Sequence, residues 1–509
     1  MKNSLLAALL LLIACACVTT PDPASVRYDP FRPLDTVAAT LPASPTPRLT
    51  PTRVPLSLNL PPTPPPGLLL PSPTPDAPHA LPTPRAREET YVVQPGDTLN
   101  QIAVRYGVSI ESLVRANALS NPDFLEPGQI LLLPTPDFQL PAPEFKIIPD
   151  SELVYGPASA LFDVEAFVKQ KGGYLATYQE EMDGQVWSGA QIVLRVAQNQ
   201  SVNPRLLLAL IEHRSAWVTR ASPSILTPLD LPQPKGLYRQ LSWAANELNR
   251  GYYLWRVNGI GSLFLMDGTI IPLSPRLNAG TVAIQRLFSL LDDRPAWEQD
   301  VSPFGFFQTY FILFGNPFQY AFEPLLPSDL RQPPLLLPFE PGVSWAFTGG
   351  PHPAWDSGSA WAALDFAPPD TAGCQPSAEW VTAVADGWIV RSANGVVIQD
   401  LDGDGYEQTG WSILYLHIAT QERVAAGTYL FAGERIGHPS CEGGVASATH
   451  LHLARRYNGE WIPADGPLPF NLEGWVSAGW GRAYDGLLRR GDQVLQAEEG
   501  FSELNTLRR

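Results

Sequence analysis

The 509-residue chain carries 34 Lys and Arg against 50 Asp and Glu, a formal net charge of −16, and 45% of its residues are hydrophobic. That length allows about two to four domains, each with a core of its own. The acidic balance excludes nucleic acid as a partner, because a polyanionic backbone would be repelled and no basic stripe with interleaved aromatics is present.

The first segment addresses the chain rather than folding it. Met1-Lys2, the apolar run from Leu5 to Ile13 and Ala14-Cys15 have the charged start and short apolar stretch of an export signal over residues 1–20. The run is too short to span a bilayer stably. Cysteine directly after Leu12-Ile13-Ala14 resembles the lipobox of bacterial lipoproteins, which implies acylation of Cys15 and lipid anchoring to a membrane in the cell envelope. Cys17 and an ordinary cleaved signal are the alternatives. Residues 21–89 are dense in Pro, Thr, Ser and Ala, as in Pro61-Pro62-Thr63-Pro64-Pro65-Pro66. They are expected to be a disordered, semi-rigid tether, because such a stretch cannot bury enough apolar surface to offset its entropy. At roughly 3.1 Å per residue it would reach on the order of 200 Å.

Residues 90–135 predict a compact unit. It has a strand Tyr91-Val92-Val93, a turn at Pro95-Gly96-Asp97, helices Leu99 to Tyr106 and Ile110 to Ala116, and a strand Ile130 to Leu133. Thr98 with Gln101 makes a capping box, and Ser109 can cap the second helix. The wording Tyr-Val-Val-Gln-Pro-Gly-Asp-Thr-Leu through Leu-Glu-Pro-Gly-Gln-Ile-Leu resembles the LysM module along nearly its whole length. The resemblance implies a βααβ fold that binds the glycan of peptidoglycan, or a spacer that has lost that ligand.

Residues 150–330 read as a mostly helical domain. Its clearest helix starts with Asn203 as cap and Pro204 at the first position. The run Leu206 to Ser215 looks distantly like the catalytic helix of soluble lytic transglycosylases, but Arg214 stands where that family has its glutamate. Glu212, two residues earlier, faces about 200° away around a helix. A non-catalytic, structural role is therefore expected, with His213 on the helix surface.

A Pro-rich joint from Gln332 to Pro341 leads into residues 336–480, where short β-branched segments alternate with turns and Asn394-Gly395 marks a two-residue hairpin. The expected fold is mostly antiparallel β, with residues 481–509 as a tail. Five of the chain's seven histidines fall here. His450 and His452 are two apart, which on a strand puts both on one face. His417 ends an apolar strand, while His352 and Asp365 flank a Gly/Ser-rich loop. Two imidazoles and a carboxylate that leave a fourth position open are what catalytic zinc needs.

Trp345-Ala-Phe-Thr-Gly-Gly-Pro-His352, Leu364-Asp365, Tyr415-Leu-His417 and Thr449-His450-Leu-His452 are similar to the lysostaphin-like zinc endopeptidases that cut peptidoglycan peptides. The twelve residues between His352 and Asp365 depart from the commoner spacing, in which Trp361 would take the histidine place, and resemble the beta-lytic or staphylolysin branch. The resemblance implies one Zn²⁺ per chain on His352, Asp365 and His452, with His417 and His450 as catalytic groups. Export would allow a disulfide between Cys374 and Cys441.

Asp400-Leu401-Asp402-Gly403-Asp404-Gly405 copies the start of a calcium loop, yet Trp411 stands at the twelfth position, so acidic turn residues are the simpler reading. His438 is expected in a loop beside the cleft without a metal role. A cell-envelope zinc endopeptidase is thus expected, with peptidoglycan as its partner through both glycan and peptide. Its rivals are a non-catalytic activator of other wall hydrolases and glycan cleavage by the helical domain through Glu212.

Overall fold

The computed structural model describes residues 51–54, 56, 87–94, 97–106, 108–119, 121, 125–135, 141–369 and 373–509. The export signal, Cys15, Cys17, nearly all of the tether, the Pro95-Gly96 turn and the side chain of Gln101 lie outside the described residues. No helix among those described is long and apolar enough to cross a membrane.

Strand β1 (Glu89–Val92) pairs antiparallel with β2 (Ile130–Leu133), and helices α1 (Leu99–Tyr106) and α2 (Ile110–Asn117) pack on them. Ser109 caps α2 by accepting from the Ser112 amide. Leu99, Ile102, Ala103, Val108, Leu113, Leu131 and Leu133 form the small core. The Asn117 side chain accepts from the Leu132 amide (2.6 Å) and donates to its carbonyl (2.8 Å), so helix and strand share one hydrogen-bonded register.

The middle region is helical: α3 (Val164–Lys171), α4 (Gly189–Gln200), α5 (Pro204–Ser215), α6 (Leu237–Arg256), α7 (Ala279–Ser289) and α8 (Phe306–Phe314) are its longer helices. Ser188 and Gln191 form a reciprocal capping box at α4. Helix α5 is buried on nearly every side from Leu206 to Ile211, which makes it the central helix of an aromatic-rich core.

The C-terminal region is an antiparallel nine-stranded sheet. Its strands are β3 (Ser344–His352), β4 (Ala363–Ala367), β5 (Gly387–Ala393), β6 (Val396–Asp400), β7 (Trp411–Leu416), β8 (Tyr429–Leu430), β9 (Leu451–Tyr457), β10 (Glu460–Trp461) and β11 (Thr506–Arg508), in the order β8-β5-β6-β7-β9-β4-β3-β11, with β10 beside β9. Asn394 (φ 49°) and Gly395 (φ 73°) turn β5 into β6 with both residues left-handed, as a type I′ hairpin requires.

Residues 481–509, expected as a tail, belong to this domain. Gly486–Arg490 and Gln493–Gln496 complete a second, four-stranded sheet, and β11 closes the edge of the large sheet against β3. The reason is burial: Leu488 and Leu507 sit in the same core as Trp345 and Phe347. A described piece of the Pro-rich segment also departs from a free tether. The Val54 amide donates to Gly403 (2.8 Å), and the Arg53 guanidinium lies 4.9 Å from the centre of the Trp388 ring.

The helical and β regions share a polar boundary. Arg391 and Arg456 both pair with buried Glu407 (3.0 and 2.7 Å), Arg391 also reaches Asn199 (2.8 Å), and the Ser201 hydroxyl donates to the Gly459 carbonyl (2.6 Å).

Candidate metal centre

Strands β7, β9, β4 and β3 are consecutive neighbours, and their register gathers the expected residues. Leu416, one before His417, lies opposite His452; His452 lies opposite Asp365; Asp365 lies opposite Gly349. Directly opposed residues have Cβ atoms about 4.5–5.5 Å apart, so three adjacent strands alone bring imidazole and carboxylate into contact. The register of β3 slips between Phe347 and His352, two irregularities that re-aim His352 toward the same spot. Glycine is needed there for space. A Cβ on Gly349 would lie 2.7 Å from Asp365 Oδ2, and one on Gly350 would lie 2.7 Å from the Gly486 amide nitrogen.

His352 Nε2, His452 Nδ1 and Asp365 Oδ1 converge, with separations of 3.0 Å between the nitrogens and 3.3 and 3.2 Å from each to the oxygen. The other nitrogen of each ring faces a backbone carbonyl: His352 Nδ1 meets Gly350 (2.8 Å) and His452 Nε2 meets Ala354 (2.9 Å). A carbonyl can only accept, so each neutral ring carries its proton on that side and turns a lone pair inward. Asp365 Oδ1 is buried and accepts no hydrogen bond among the described residues. Two lone pairs and a carboxylate oxygen cannot satisfy one another, whereas a cation among them would. Donor atoms about 2.0–2.1 Å from a tetrahedral zinc stand about 3.3 Å apart, so the residues fit that ion.

His417 and His450 flank the trio, their ring centres 4.5 Å apart. Each again gives one nitrogen to a carbonyl, His417 Nδ1 to Glu442 (2.9 Å) and His450 Nδ1 to Ala448 (2.8 Å). His450 Nε2 lies 3.7 Å from Asp365 Oδ1. His417 adopts φ 68°, in the left-handed region, and its carbonyl is held by the Ser440 amide (2.6 Å) and hydroxyl (3.0 Å). Such a conformation in a buried histidine stores strain that surrounding contacts must hold. Burial, with the charges of His450 and His452 adding to it, pushes the His417 imidazole down to about 3. Burial also lowers His452, against the opposing pull of Asp365. Burial alone would raise Asp365, but the charge of His352 when it is protonated, with hydrogen bonds then donated by His352 and His452, outweighs that and puts the carboxyl well below its usual range.

Tyr484 is the residue that sequence reading missed. Its ring stacks on His352, centres 4.2 Å apart and planes 18° from parallel, and its backbone exchanges hydrogen bonds with Gly350 (2.7 Å) and Pro351 (3.2 Å). Assigning 481–509 to a tail hid it.

Cys374 and Cys441 are joined, S–S 2.08 Å, across 67 positions. Cys441 adjoins Glu442, whose carbonyl orients His417. Replacing both cysteines by Ser is expected to destabilise the β region by about 4 kcal/mol, from loop-closure entropy. Chemical denaturation would read this as a lower midpoint, and an unchanged midpoint would refute it.

The remaining sequence candidates fall elsewhere. His213 is not a surface residue: it is wedged between helices, its Nε2 3.0 Å from Asp300, its Nδ1 2.9 Å from the Thr309 hydroxyl, and its ring against Phe288 and Phe306. Glu212 accepts from the Val218 and Thr219 amides and the Thr219 hydroxyl, closing the turn after α5, and Arg214 pairs with Asp292 (2.8 Å). His438 packs on Trp380 and lies 3.2 Å from Glu422. Asp400, Asp402 and Asp404 come together, but Asp400 accepts from the amides of Asp402, Gly403 and Gly405 and so shapes its own turn.

Comparison with solved structures finds the M23 metalloprotease pseudoalterin from the deep sea, at 20% identity and TM-score 0.29, covering 35% of this chain and 99% of that one. It also finds the catalytic domain of the antimicrobial peptidase lysostaphin from Staphylococcus simulans, at 22% identity and TM-score 0.18, covering 24% of this chain and 89% of that one. A zinc-containing peptidase from Vibrio cholerae matches at 19% identity and TM-score 0.17, covering 28% and 39%. Among family models, residues 91–134 match the LysM domain and residues 146–328 match the LasA N-terminal domain, so the chain joins a LysM domain and a LasA-type N-terminal domain to a C-terminal antiparallel sheet.

Proposed function

We propose that this chain is a cell-envelope zinc endopeptidase that hydrolyses peptide bonds in peptidoglycan cross-links. The observation that carries the reading is the inward convergence of His352 Nε2, Asp365 Oδ1 and His452 Nδ1, with both rings' remaining nitrogens already committed to carbonyls. The LysM domain supports a wall substrate. The Cys374–Cys441 bond supports an oxidising compartment. A lipobox at Cys15 would keep the enzyme at a membrane, and glycan binding would raise its effective concentration on a polymer that cannot diffuse.

His352, Asp365 and His452 would hold the ion, and zinc bound there supplies Lewis acidity toward a carbonyl and lowers the pKa of water. The surrounding residues act on protons and charge. His417, kept neutral by burial and with Nδ1–H committed to Glu442, offers the Nε2 lone pair to take a proton from the attacking water. Once protonated, that nitrogen can return the proton to the leaving amine. His450, with its Nδ1–H on Ala448, presents Nε2 beside it, where a protonated ring would stabilise the developing oxyanion.

Digesting purified peptidoglycan with the zinc-loaded full chain tests this. Free amino groups are expected to appear without new reducing ends. Reducing ends alone would indicate glycan cleavage, and release of neither would favour a non-catalytic binding role.

A further inference from the structure

The loop between His352 and Asp365 is held from outside its own domain. Its Ala354 carbonyl accepts from His452 Nε2 (2.9 Å) and so decides which nitrogen of that ring carries the proton. Beyond Ala354 the loop folds into a closed turn: Ala354 donates to the Ala360 carbonyl (2.9 Å), Ser359 to the Asp356 carbonyl (2.9 Å), and the Trp355 amide to the Ser359 hydroxyl (3.0 Å). The outside of that turn is gripped by helices α4 and α6. Asn246 Oδ1 accepts from the Gly358 amide (2.7 Å), Arg250 donates to the Ser357 hydroxyl (2.6 Å), and Gln200 donates to the Asp356 carboxylate. Contact at Gly358 is so close that an added Cβ would stand 2.0 Å from the Asn246 carbonyl oxygen. Tyr253, also on α6, packs against the cluster that contains Ala354 and Ala360.

We infer that the helical domain is a positioning element of the metal centre: Asn246, Arg250 and Gln200 hold the loop so that Ala354 fixes the His452 ring with Nδ1 facing Asp365. This rests on the zinc reading above and adds what the helical region does for it. A backbone carbonyl has no side chain of its own to keep it in place. Its position depends on what grips the loop, and here the grip on the loop's outer face comes from α4 and α6. If the turn lifts, Nε2–H loses its acceptor and the ring is free to change tautomer or rotate. Loss of such an outer contact typically weakens metal affinity by about 10–100-fold.

The test uses the full chain and measures zinc affinity by competition with a chromophoric chelator. Asn246→Ala releases the loop from the helix side, and Gly358→Ala wedges it away from the loop side. Both are expected to raise the zinc Kd by about 10–100-fold. Asn246→Asp, which keeps the acceptor oxygen, is expected to restore affinity. Arg256→Ala breaks the pair with Glu460 (3.2 Å) at the same domain boundary without touching the loop, and is expected to leave the Kd within about threefold. In the zinc-free protein, long-range proton–nitrogen correlation should show His452 as the Nε2–H tautomer in the unmodified chain and as a mixture in Asn246→Ala. Should either Ala variant unfold, Arg250→Ala replaces it, and the same shift in Kd is expected.

Folded variants that bind zinc as tightly as the unmodified chain, with an unchanged His452 tautomer, would overturn the inference alone. An unmodified chain that binds no zinc would overturn the metal reading and this inference with it.

Discussion

Asp365→Asn is expected to abolish zinc retention and to lower kcat/KM for wall-peptide cleavage by at least about a thousandfold. The substitution keeps the size and one oxygen of the side chain, so packing against Gly349 and the pairing of β4 with β9 should survive. What it removes is the negative charge at the meeting point of two imidazoles whose protons point elsewhere. Asp365 is 7% exposed, and its carboxyl lies well below the usual range despite the cost of burial. A neutral amide would leave two lone pairs and an amide oxygen around a divalent cation, with no anion to offset its desolvation. Zinc content by mass spectrometry and kcat/KM on a cross-linked muropeptide should fall together. A variant that keeps both would show that the carboxylate is not a ligand.

The second large effect separates chemistry from metal binding. His417→Ala is expected to lower kcat by about 10²–10³ while leaving zinc content and KM nearly unchanged. Its ring centre stands 6.2 Å from that of His452, and its Nδ1–H is committed to Glu442, so on the proposed reading Nε2 would serve protons rather than the ion. Burial keeps the ring neutral across the pH range in which an enzyme of this kind would work. A proton acceptor is therefore ready without prior deprotonation, and a loss of zinc in step with the loss of activity would contradict this division of roles.

Local patterns were the readable part of the fold. The LysM segment declared its strands and helices through its turn and cap residues and its family wording, and the observed ranges match to within a residue or two. Asn394-Gly395 gave its hairpin because two consecutive left-handed residues suit few other pairs. At the site, period-two spacing placed His450 and His452 together, whereas bringing His352 and Asp365 to them needed the order β7-β9-β4-β3, which no local pattern encodes.

Long-range packing was the unreadable part. Leu487-Leu488, Val494-Leu495 and the Gly491-Asp492 turn between them carry a modest hairpin signal, but it is the burial of Leu488 and Leu495 in the core of Trp345 and Phe347 that fixes this hairpin in the domain, with Tyr484 just before it stacked on His352. His213 looked like a surface residue because nothing near it in sequence announces Asp300 or Thr309. The hold of Asn246 on Gly358 spans 112 positions and two domains.

X-ray absorption at the zinc edge of the loaded full chain addresses the central claim most directly. One zinc per chain in a four-coordinate shell of nitrogen and oxygen, with the scattering pattern of two imidazoles, is the expected result; it should disappear in a His352→Ala, His452→Ala double variant. A sulfur-containing shell, or an unchanged spectrum in that variant, would mean that the ion is held elsewhere and that the His–Asp–His convergence serves another purpose.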